Sequence, residues 1–271
     1  TAYADALRKK KFRIATKEEP FFEKRVIKSA AEVRAIEAVQ RHTEAACRAA
    51  IETIARSQIR KGKLFYRGKV LTSETIKKII NVALMERNCV AQHTIIACGI
   101  DGVDPHNQGS GPLRANEPIV MDIFPQSVQS RYYADLSRTV VRGKAMPKLR
   151  KMYAAVREGQ EIAFKKIRHG ADGSKIHEAI QRRFNELSFR TGEMNGRMQG
   201  FFHGTGHGVG LEIHEPPRIS MGKDILKAGQ VVTVEPGLYY EDAGGVRLED
   251  MVLVTKTGCR NLTHLPKTLE L

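Results

Sequence analysis

The sequence predicts an α+β fold, in which helices and strands come in blocks and neighbouring strands are joined by short connections. Two observations carry this prediction. Long stretches with apolar residues at helical spacing are followed by short runs rich in β-branched residues. The strand runs also come in pairs with hairpin-like loops between them, whereas single strands alternating with helices would favour a parallel sheet.

The first 28 residues are the least regular part of the chain. They are basic and run into the stretch EEPFFEKRVIK. We interpret residues 1–28 as an irregular N-terminal lead-in segment or the remnant of a preceding domain. Residues 29–271 would then form the main domain.

Four stretches have helical periodicity. From Ser29 to about Ser57 the chain is rich in Ala and Glu, with apolar residues at helical intervals. A second helix, SETIKKIINVALMER, follows Thr72 or Ser73, either of which can cap it. Two more helices fit PKLRKMYAAVREGQEIAFKKI and SKIHEAIQRRFNEL.

Strands are predicted after each pair of helices. In the first half they are TIIACG, PIVMDIF and YYADLSRTVVRG. In the second half they are VVTVEPGLYY (Val231 to Tyr240) and VRLEDMVLVT (Val246 to Thr255), joined through Asp242 and the residues after it. Each half therefore has two helices and then a strand pair, which suggests an approximate internal duplication.

Composition excludes several classes of protein. The chain has 271 residues, of which 41% are hydrophobic and 28% charged, enough for a substantial core. No apolar run approaches the roughly 20 residues that cross a bilayer, so we expect no membrane partner. The four cysteines form no CxxC pair, which favours reduced thiols and a cytoplasmic location.

The net charge of +15 raises the question of a nucleic-acid partner. The densest basic clusters are RKKKFR and RKGKLFYRGK, and neither contains a recognisable DNA- or RNA-binding motif. Charge alone indicates only non-specific attraction. We therefore favour a solvated basic surface over a nucleic-acid site.

Four acidic residues lie in or beside the predicted apolar strands. Asp122 and Asp135 are 13 positions apart, and Glu235 and Glu249 are 14 apart. For any one of them, a solvent-facing strand or a salt bridge with an arginine is the simpler interpretation. A buried unpaired charge is costly, and four such acids in two paired hairpins favour a shared cation.

The stretch HGTGHGVGLEIHE runs from His203 to Glu215 and separates the two acidic pairs. His203 and His207 are four apart, as in helical zinc motifs. The glycines between and after them oppose a stable helix and predict an extended segment. Four carboxylates and one imidazole suit two divalent ions, with manganese favoured and cobalt, iron or zinc as alternatives. Such a paired site supports hydrolysis.

The motifs MD…ADLSRT, HGTGHGVGLEIHE, TVEPGLYY and GGVRLED resemble, in order and spacing, the metal-site motifs of the M24 metallopeptidases. The resemblance covers about Ile27 to Thr255. It implies the pita-bread fold, with pseudo-twofold α/β halves and a curved antiparallel sheet covered by helices, and makes residues 29–271 a catalytic domain. It also implies five metal ligands: Asp122, Asp135, His207, Glu235 and Glu249.

The resemblance also implies roles for residues around the metals. Glu235 would act as general base, and His106, in VDPHNQGSG, and His214 would contact the reacting peptide. His203 would line the substrate pocket. Arg247 matches the arginine of the Xaa-Pro peptidases and would bind substrate, with an ion pair to Asp135 or Glu249 as the alternative.

Two positions depart from the family pattern. The two aspartates are separated by two more residues than in familiar members, and Ile123 replaces the glycine that often follows the first one. Neither change removes a ligand, although the longer loop could reshape the rim of the site.

The expected function is that of a dinuclear-metal exopeptidase that cleaves between an N-terminal residue and proline, as in aminopeptidase P. The alternative is an Xaa-Pro dipeptidase, or prolidase. A methionine aminopeptidase, or an inactive scaffold that binds nucleic acid or protein, fits less well. Many members of the Xaa-Pro branch form pairs, so a homodimer is a further expectation.

Overall fold

The structure is a computed structural model that describes residues 1–15 and 22–271. Residues 16–21 of the predicted lead-in segment lie outside the described residues. The rest of that segment is more regular than expected, because it contains helix α1 (Ala2–Lys9) and a 3-10 helix (Glu23–Val26). Helix α1 buries none of its residues.

The first half begins with the two predicted helices, α2 (Ala30–Ala55) and α3 (Ser73–Met85). Ser29 caps α2 in a reciprocal capping box with Glu32, and Thr72 caps α3. Between the helices lies an antiparallel three-stranded meander that the sequence pattern does not predict. Its strands are β1 (Gln58–Arg60), β2 (Lys63–Tyr66) and β3 (Lys69–Val70).

The main sheet of the first half has the order β5-β6-β8, with every pair antiparallel. The strand predicted in YYADLSRTVVRG starts later than expected, because the amides of Tyr133 and Ala134 donate to loop carbonyls instead of a ladder partner. The strands of this half are β4 (Cys89–Val90), β5 (Ile95–Cys98), β6 (Pro118–Ile123), β7 (Gln126–Ser127) and β8 (Leu136–Val141). Strand β4 pairs with β7, and a 3-10 helix (Gly99–Val103) follows β5.

The second half repeats this plan with helices α4 (Pro147–Lys166) and α5 (Gly173–Glu186), the latter capped by Asp172. Its main sheet has the order β12-β11-β13-β16-β17. The strands of this half are β9 (Gly192–Met194), β10 (Arg197–Gln199), β11 (Gly206–Gly208), β12 (Glu215–Ile219), β13 (Val231–Val234), β14 (Gly237–Tyr240), β15 (Gly244–Arg247), β16 (Asp250–Val254) and β17 (Cys259–Asn261).

The single strands predicted in VVTVEPGLYY and VRLEDMVLVT are each two strands. Strand β13 pairs with β16, whereas β14 pairs with β15 in a separate ribbon. Pro236 has no amide hydrogen for a ladder. The amides of Glu235 and Glu249 donate elsewhere, to the carbonyls of Thr205 and Ser137. Both glutamates therefore lie at breaks between two ladders.

The two halves pack as separate cores that meet along β8 and the segment before β16. In one core α2 and α3 pack on β5, β6 and β8, and in the other α4 and α5 pack on β13 and β16. The halves are joined where the amide of Glu249 donates to the carbonyl of Ser137 and where Thr139 exchanges two bonds with Arg247. None of the helices in residues 1–15 and 22–271 has the length and apolar composition needed to cross a membrane.

Candidate metal centre

The four predicted carboxylates lie at the ends of two antiparallel ladders. Asp122 is near the end of β6, and Asp135 directly precedes β8. Glu235 directly follows β13, and Glu249 directly precedes β16. In an antiparallel pair, the end of one strand lies beside the start of its partner. Because the two ladders meet at Ser137 and Glu249, all four side chains reach one cleft.

His207 joins the acids from β11, which is hydrogen-bonded to β13. Its Nε2 lies 3.3 Å from Oε1 of Glu235 and 3.7 Å from Oδ2 of Asp135. One ligand atom from each of Asp135, His207 and Glu249 can be chosen so that all three lie within 4.8 Å of one another. All three residues are buried. The structure therefore brings the five predicted ligands together.

The donor atoms themselves fit a metal. Oδ1 of Asp122, Oδ1 of Asp135 and Oε1 of Glu249 are buried without a hydrogen-bond partner. Such atoms are costly to bury unless a cation contacts them. The carbonyl of Gly208 accepts from Nδ1 of His207 at 3.1 Å, which assigns the proton to Nδ1 and directs the Nε2 lone pair at the acids. Unpaired oxygens and a facing lone pair form a set that a divalent cation completes.

The pKa shifts of these residues show that the metal-free site disfavours their charged forms. Burial and the neighbouring carboxylates raise the pKa of Asp135 and Glu249 well above their ordinary values. Burial raises the pKa of Glu235 to about 7, with Arg247 opposing the shift and Asp122 reinforcing it. Burial and the nearby His214 lower the pKa of His207 to about 3, so its imidazole is neutral.

Arg247 is buried and makes contacts that differ from the alternative considered for it. Its guanidinium pairs with Asp122 at 2.7 Å and not with Asp135 or Glu249. It also donates to the hydroxyls of Ser137 and Tyr239. Ser137 in turn donates to Glu249 at 2.9 Å. Among the described residues, Asp122 is thus the one predicted ligand that has an arginine partner.

His203 lines the cleft and is hydrogen-bonded at both ring nitrogens. Its Nδ1 hydrogen-bonds to the carbonyl of Gly204 at 2.8 Å, and its Nε2 to the hydroxyl of Tyr239 at 2.9 Å. Burial lowers its pKa to about 3, and the charge of Arg247 adds to this shift. His203 is therefore neutral and is linked through Tyr239 to Arg247 and Asp122.

His106 and His214 lie on the open side of the site, and both are exposed. The amide of His106 donates to Asp104, which holds the loop around it. The ring of His214 stands edge-on to that of His207, with centroids 4.3 Å apart. The cleft has a volume of about 660 Å³, and nine of its lining residues are the predicted ones: His106, Asp122, Asp135, His203, His207, His214, Glu235, Arg247 and Glu249.

The sequence pattern does not mark several residues in and around the cleft. Tyr239 contacts two cleft residues, since its hydroxyl is hydrogen-bonded to His203 and Arg247, and a buried tyrosine hydroxyl usually needs such a partner. Arg218 follows Pro216 and Pro217, directly after the glycine-rich motif, and lines the cleft. His93 and Gln108, which hydrogen-bond each other, form part of the opposite wall. No sequence pattern marked those two residues.

Comparison with known proteins identifies the family of the chain. Residues 34–256 match metallopeptidase family M24. The chain is 33% identical over 250 residues to an Xaa-Pro dipeptidase of Pyrococcus horikoshii, covering 90% of this chain and 64% of that protein. It is 36% identical over 178 residues to an Xaa-Pro dipeptidase of Pyrococcus furiosus, covering 65% of this chain and 48% of that protein. The chain thus spans about half to two thirds of the length of these curated relatives.

Solved structures give the same result for the fold. A prolidase from Pyrococcus furiosus superposes with a TM-score of 0.78 at 30% identity, covering 90% of this chain and 67% of that one. An X-Pro aminopeptidase from Thermotoga maritima also gives 0.78, at 28% identity, covering 92% of this chain and 66% of that one. The predicted pita-bread fold is confirmed. With the profile match over most of the chain, these likenesses show that the protein belongs to metallopeptidase family M24.

Proposed function

We propose that this chain is a metal-dependent peptidase that hydrolyses the bond before proline in Xaa-Pro dipeptides. The observation that carries the metal-dependent part is the set of buried, unpartnered oxygens of Asp122, Asp135 and Glu249 facing the Nε2 of His207. Burying unpaired carboxylate oxygens costs free energy, and a bound cation would offset that cost.

The choice of dipeptides revises our first expectation, which was aminopeptidase P with prolidase as the alternative. Similarity favours the alternative, since both Pyrococcus sequences above are named Xaa-Pro dipeptidases. The cleft offers a physical reason for the same preference. Arg218 lines it and, in the part of the chain that the structure describes, forms no ion pair. An unpaired guanidinium suits the carboxylate of a dipeptide's proline, which a longer peptide places farther away.

Five residues would hold two divalent cations: Asp122, Asp135, His207, Glu235 and Glu249. When bound, such a pair lowers the pKa of a water molecule and polarises a peptide carbonyl. Carboxylate and imidazole ligands favour manganese, and cobalt, iron or zinc are chemically acceptable. The identity of the metal stays a prediction.

The residues around the metals would orient the peptide and move its protons. The carboxylate of Glu235, which lies 3.3 Å from Nε2 of His207 in the cleft, would accept a proton and return it to the leaving nitrogen. His106 and His214, at the open side of the cleft, would hydrogen-bond to the peptide around the reacting carbonyl. The pairing of Arg247 with Asp122 makes its contribution to substrate binding indirect.

The decisive assay compares an Xaa-Pro dipeptide, an Xaa-Pro-Yaa tripeptide and a peptide that begins with methionine and lacks proline. Each is incubated with and without manganese and after chelation. We expect manganese-dependent cleavage of the dipeptide. Cleavage of the tripeptide in preference would restore the aminopeptidase P expectation, and cleavage of the methionine peptide would reject both proline-specific functions.

Arg218→Met provides a matched test of the dipeptide preference. Loss of the Arg218 guanidinium should raise KM for the dipeptide by roughly 10- to 100-fold. KM for a dipeptide amide, which has no carboxylate, should be nearly unchanged. If no peptide is cleaved and no metal binds at equilibrium, the chain is an inactive scaffold. A cytoplasmic location and a homodimer remain predictions.

A further inference from the structure

A buried ion pair ties the segment before α2 to the loop that holds His214. The ammonium of Lys28 contacts Oε1 of Glu215, and the guanidinium of Arg25 lies 3.3 Å from Oε2 of the same carboxylate. We propose that Glu215, with Lys28 and Arg25, forms a clamp that positions His214 for catalysis. This Glu215 clamp rests on the proposed function, because it acts through a residue of that site.

The burial of the clamp distinguishes it from an ordinary surface pair. The Lys28 side chain is 1% exposed and that of Glu215 is 6% exposed. The segment is also anchored by its backbone, since the amide of Lys28 donates to the carbonyl of Gly229 at 2.8 Å. Paired charges this deeply buried are not needed to form a stable core, which apolar side chains supply more simply. A specific task for the carboxylate is therefore expected.

The irregular pairing between β11 and β12 explains why a side-chain contact is needed to hold the His214 loop. In the ladder between β11 and β12, His207 pairs with Arg218, but the next residue, Gly208, pairs with Glu215. Pro216 and Pro217 lie between these partners and, as prolines, have no amide hydrogen to donate. The His214 loop is thus joined to the sheet across a bulge, and the Glu215 side chain adds a bond that the ladder lacks.

The loop is built around this carboxylate. A Cβ at Gly210 would lie 2.5 Å from Oε1 of Glu215, so the glycine leaves free the space that the paired carboxylate occupies. Arg25 also lies 3.6 Å from Glu212, a second point of attachment on the same loop. Three features of the chain therefore converge on one buried group: a glycine, a lysine and an arginine.

The position of Glu215 makes the clamp act on the site. His214 is its neighbour in the chain, and the ring of His214 is held edge-on to the ligand His207. Release of Glu215 would let the loop move away from the cleft, and a shift of about 1 Å in a group that contacts the peptide can reduce catalysis by about 10²-fold. Glu215, Lys28 and Arg25 are accordingly positioning residues.

Activity measurements in two backgrounds test the clamp. Glu215→Gln and Lys28→Met should lower kcat by about 10- to 100-fold with metal content unchanged. In a His214→Ala background, the same changes should alter kcat by less than about twofold, because the residue through which they act is gone. If one of these single variants fails to fold, Lys28→Met combined with Glu215→Leu replaces the whole pair by apolar groups and takes its place.

The controls separate positioning from loss of stability. Lys148→Met breaks an exposed lysine–aspartate pair with Asp242, outside the cleft, and should leave kcat unchanged. Equal losses of kcat with and without His214, or wild-type kcat in both clamp variants, would overturn the proposal.

An activity-independent measurement keeps the clamp distinct from the proposed function. In Glu215→Gln, amide hydrogen exchange in residues 209–214 should become about tenfold faster while the core strands keep their protection. If the wild-type protein cleaves no Xaa-Pro peptide, the proposed function fails, and this exchange measurement still decides whether the clamp holds the loop. Unchanged exchange in residues 209–214 would reject it.

Discussion

Arg247 directs its donors at groups inside the wall of the cleft, at Asp122, Ser137 and Tyr239. Two of these partners lead to the proposed metal ligands, since Asp122 is one of them and Ser137 donates to Glu249, another. Burial opposes the charged guanidinium, but Tyr239 and Asp122 hold its pKa well above the ordinary value. Arg247 is therefore a fixed charge that orients the ligands.

Replacement of Arg247 by lysine should consequently reduce metal affinity more than substrate affinity. A lysine keeps the charge but cannot donate to three partners in a planar fork. We expect kcat/KM to fall by about 10²-fold, mostly through kcat and bound metal. Kinetics and metal content measured together test this. Arg150→Lys, in an exposed pair with Glu270, is the matched control. A pure rise in KM would favour direct substrate contact.

Asp135 offers a second test at the same scale. Its side chain is buried, its Oδ1 has no hydrogen-bond partner, and its Oδ2 lies 3.7 Å from Nε2 of His207. Asp135→Asn keeps the size but removes the charge that two shared cations need. Bound metal per chain should fall from two towards zero, as measured by elemental analysis after dialysis. Asp242→Asn, at an exposed site, should retain both ions; two ions in Asp135→Asn would show that another residue bridges them.

At the scale of elements, the glycines around His207 set how closely the strands approach. A Cβ at Gly206 would lie 2.0 Å from the carbonyl oxygen of Thr233, a backbone atom that cannot move aside. Strand β11 must therefore contain glycine there for His207 to lie over β13. This gives the glycine-rich motif a structural role beside its ligand.

Gly206→Ala should displace His207 and lower both stability and metal binding. We expect a loss of unfolding free energy of about 2–4 kcal/mol, typical of overpacking against fixed backbone. Chemical denaturation and metal titration measure the two effects. Gly222→Ala is the matched control, because a Cβ there would meet nothing within 4 Å. Equal stability in the two variants would contradict the close-approach argument.

The four helices of the main domain were predictable, whereas α1 and the strand breaks were not. Apolar periodicity and the caps at Ser29, Thr72 and Asp172 specify α2, α3 and α5 locally. An apolar run such as VVTVEPGLYY contains no local sign that its two ends join different sheets, because that choice depends on partners distant in sequence. The motif series and the acids in apolar strands predicted which five residues meet in the cleft, and their role as ligands stays a prediction, whereas Tyr239 and Arg218 required the folded neighbourhood.

At the scale of the whole molecule, the two halves contribute different parts of one centre. The first half supplies Asp122 and Asp135, and the second supplies His207, Glu235 and Glu249. The acids meet because strand ends from two cores converge, which neither core alone could achieve. Cations bound between the halves would therefore stabilise the folded chain, which links metal binding to global unfolding.

This linkage predicts how stability depends on pH with and without metal. The pKa of Glu235 is about 7 in the folded protein against an ordinary 4.5, so folding favours its protonated form. The stability that this group provides is present below pH 4.5 and is lost as the pH rises through 7. The metal-free protein should therefore lose stability over that range, by an amount of order 1–3 kcal/mol.

Added manganese should reverse this loss of stability with rising pH, because the metal binds carboxylates in their ionised form and imidazole in its neutral form. The rise in Tm caused by manganese should thus be small at pH 5 and large at pH 8. Thermal melts of the metal-free and metal-loaded protein across this range measure both slopes. Glu235→Gln has no such proton to lose, so its metal-free Tm should fall less between pH 5 and pH 8 than that of the wild type. Identical slopes for the two metal-free proteins would mean that Glu235 does not titrate in this window.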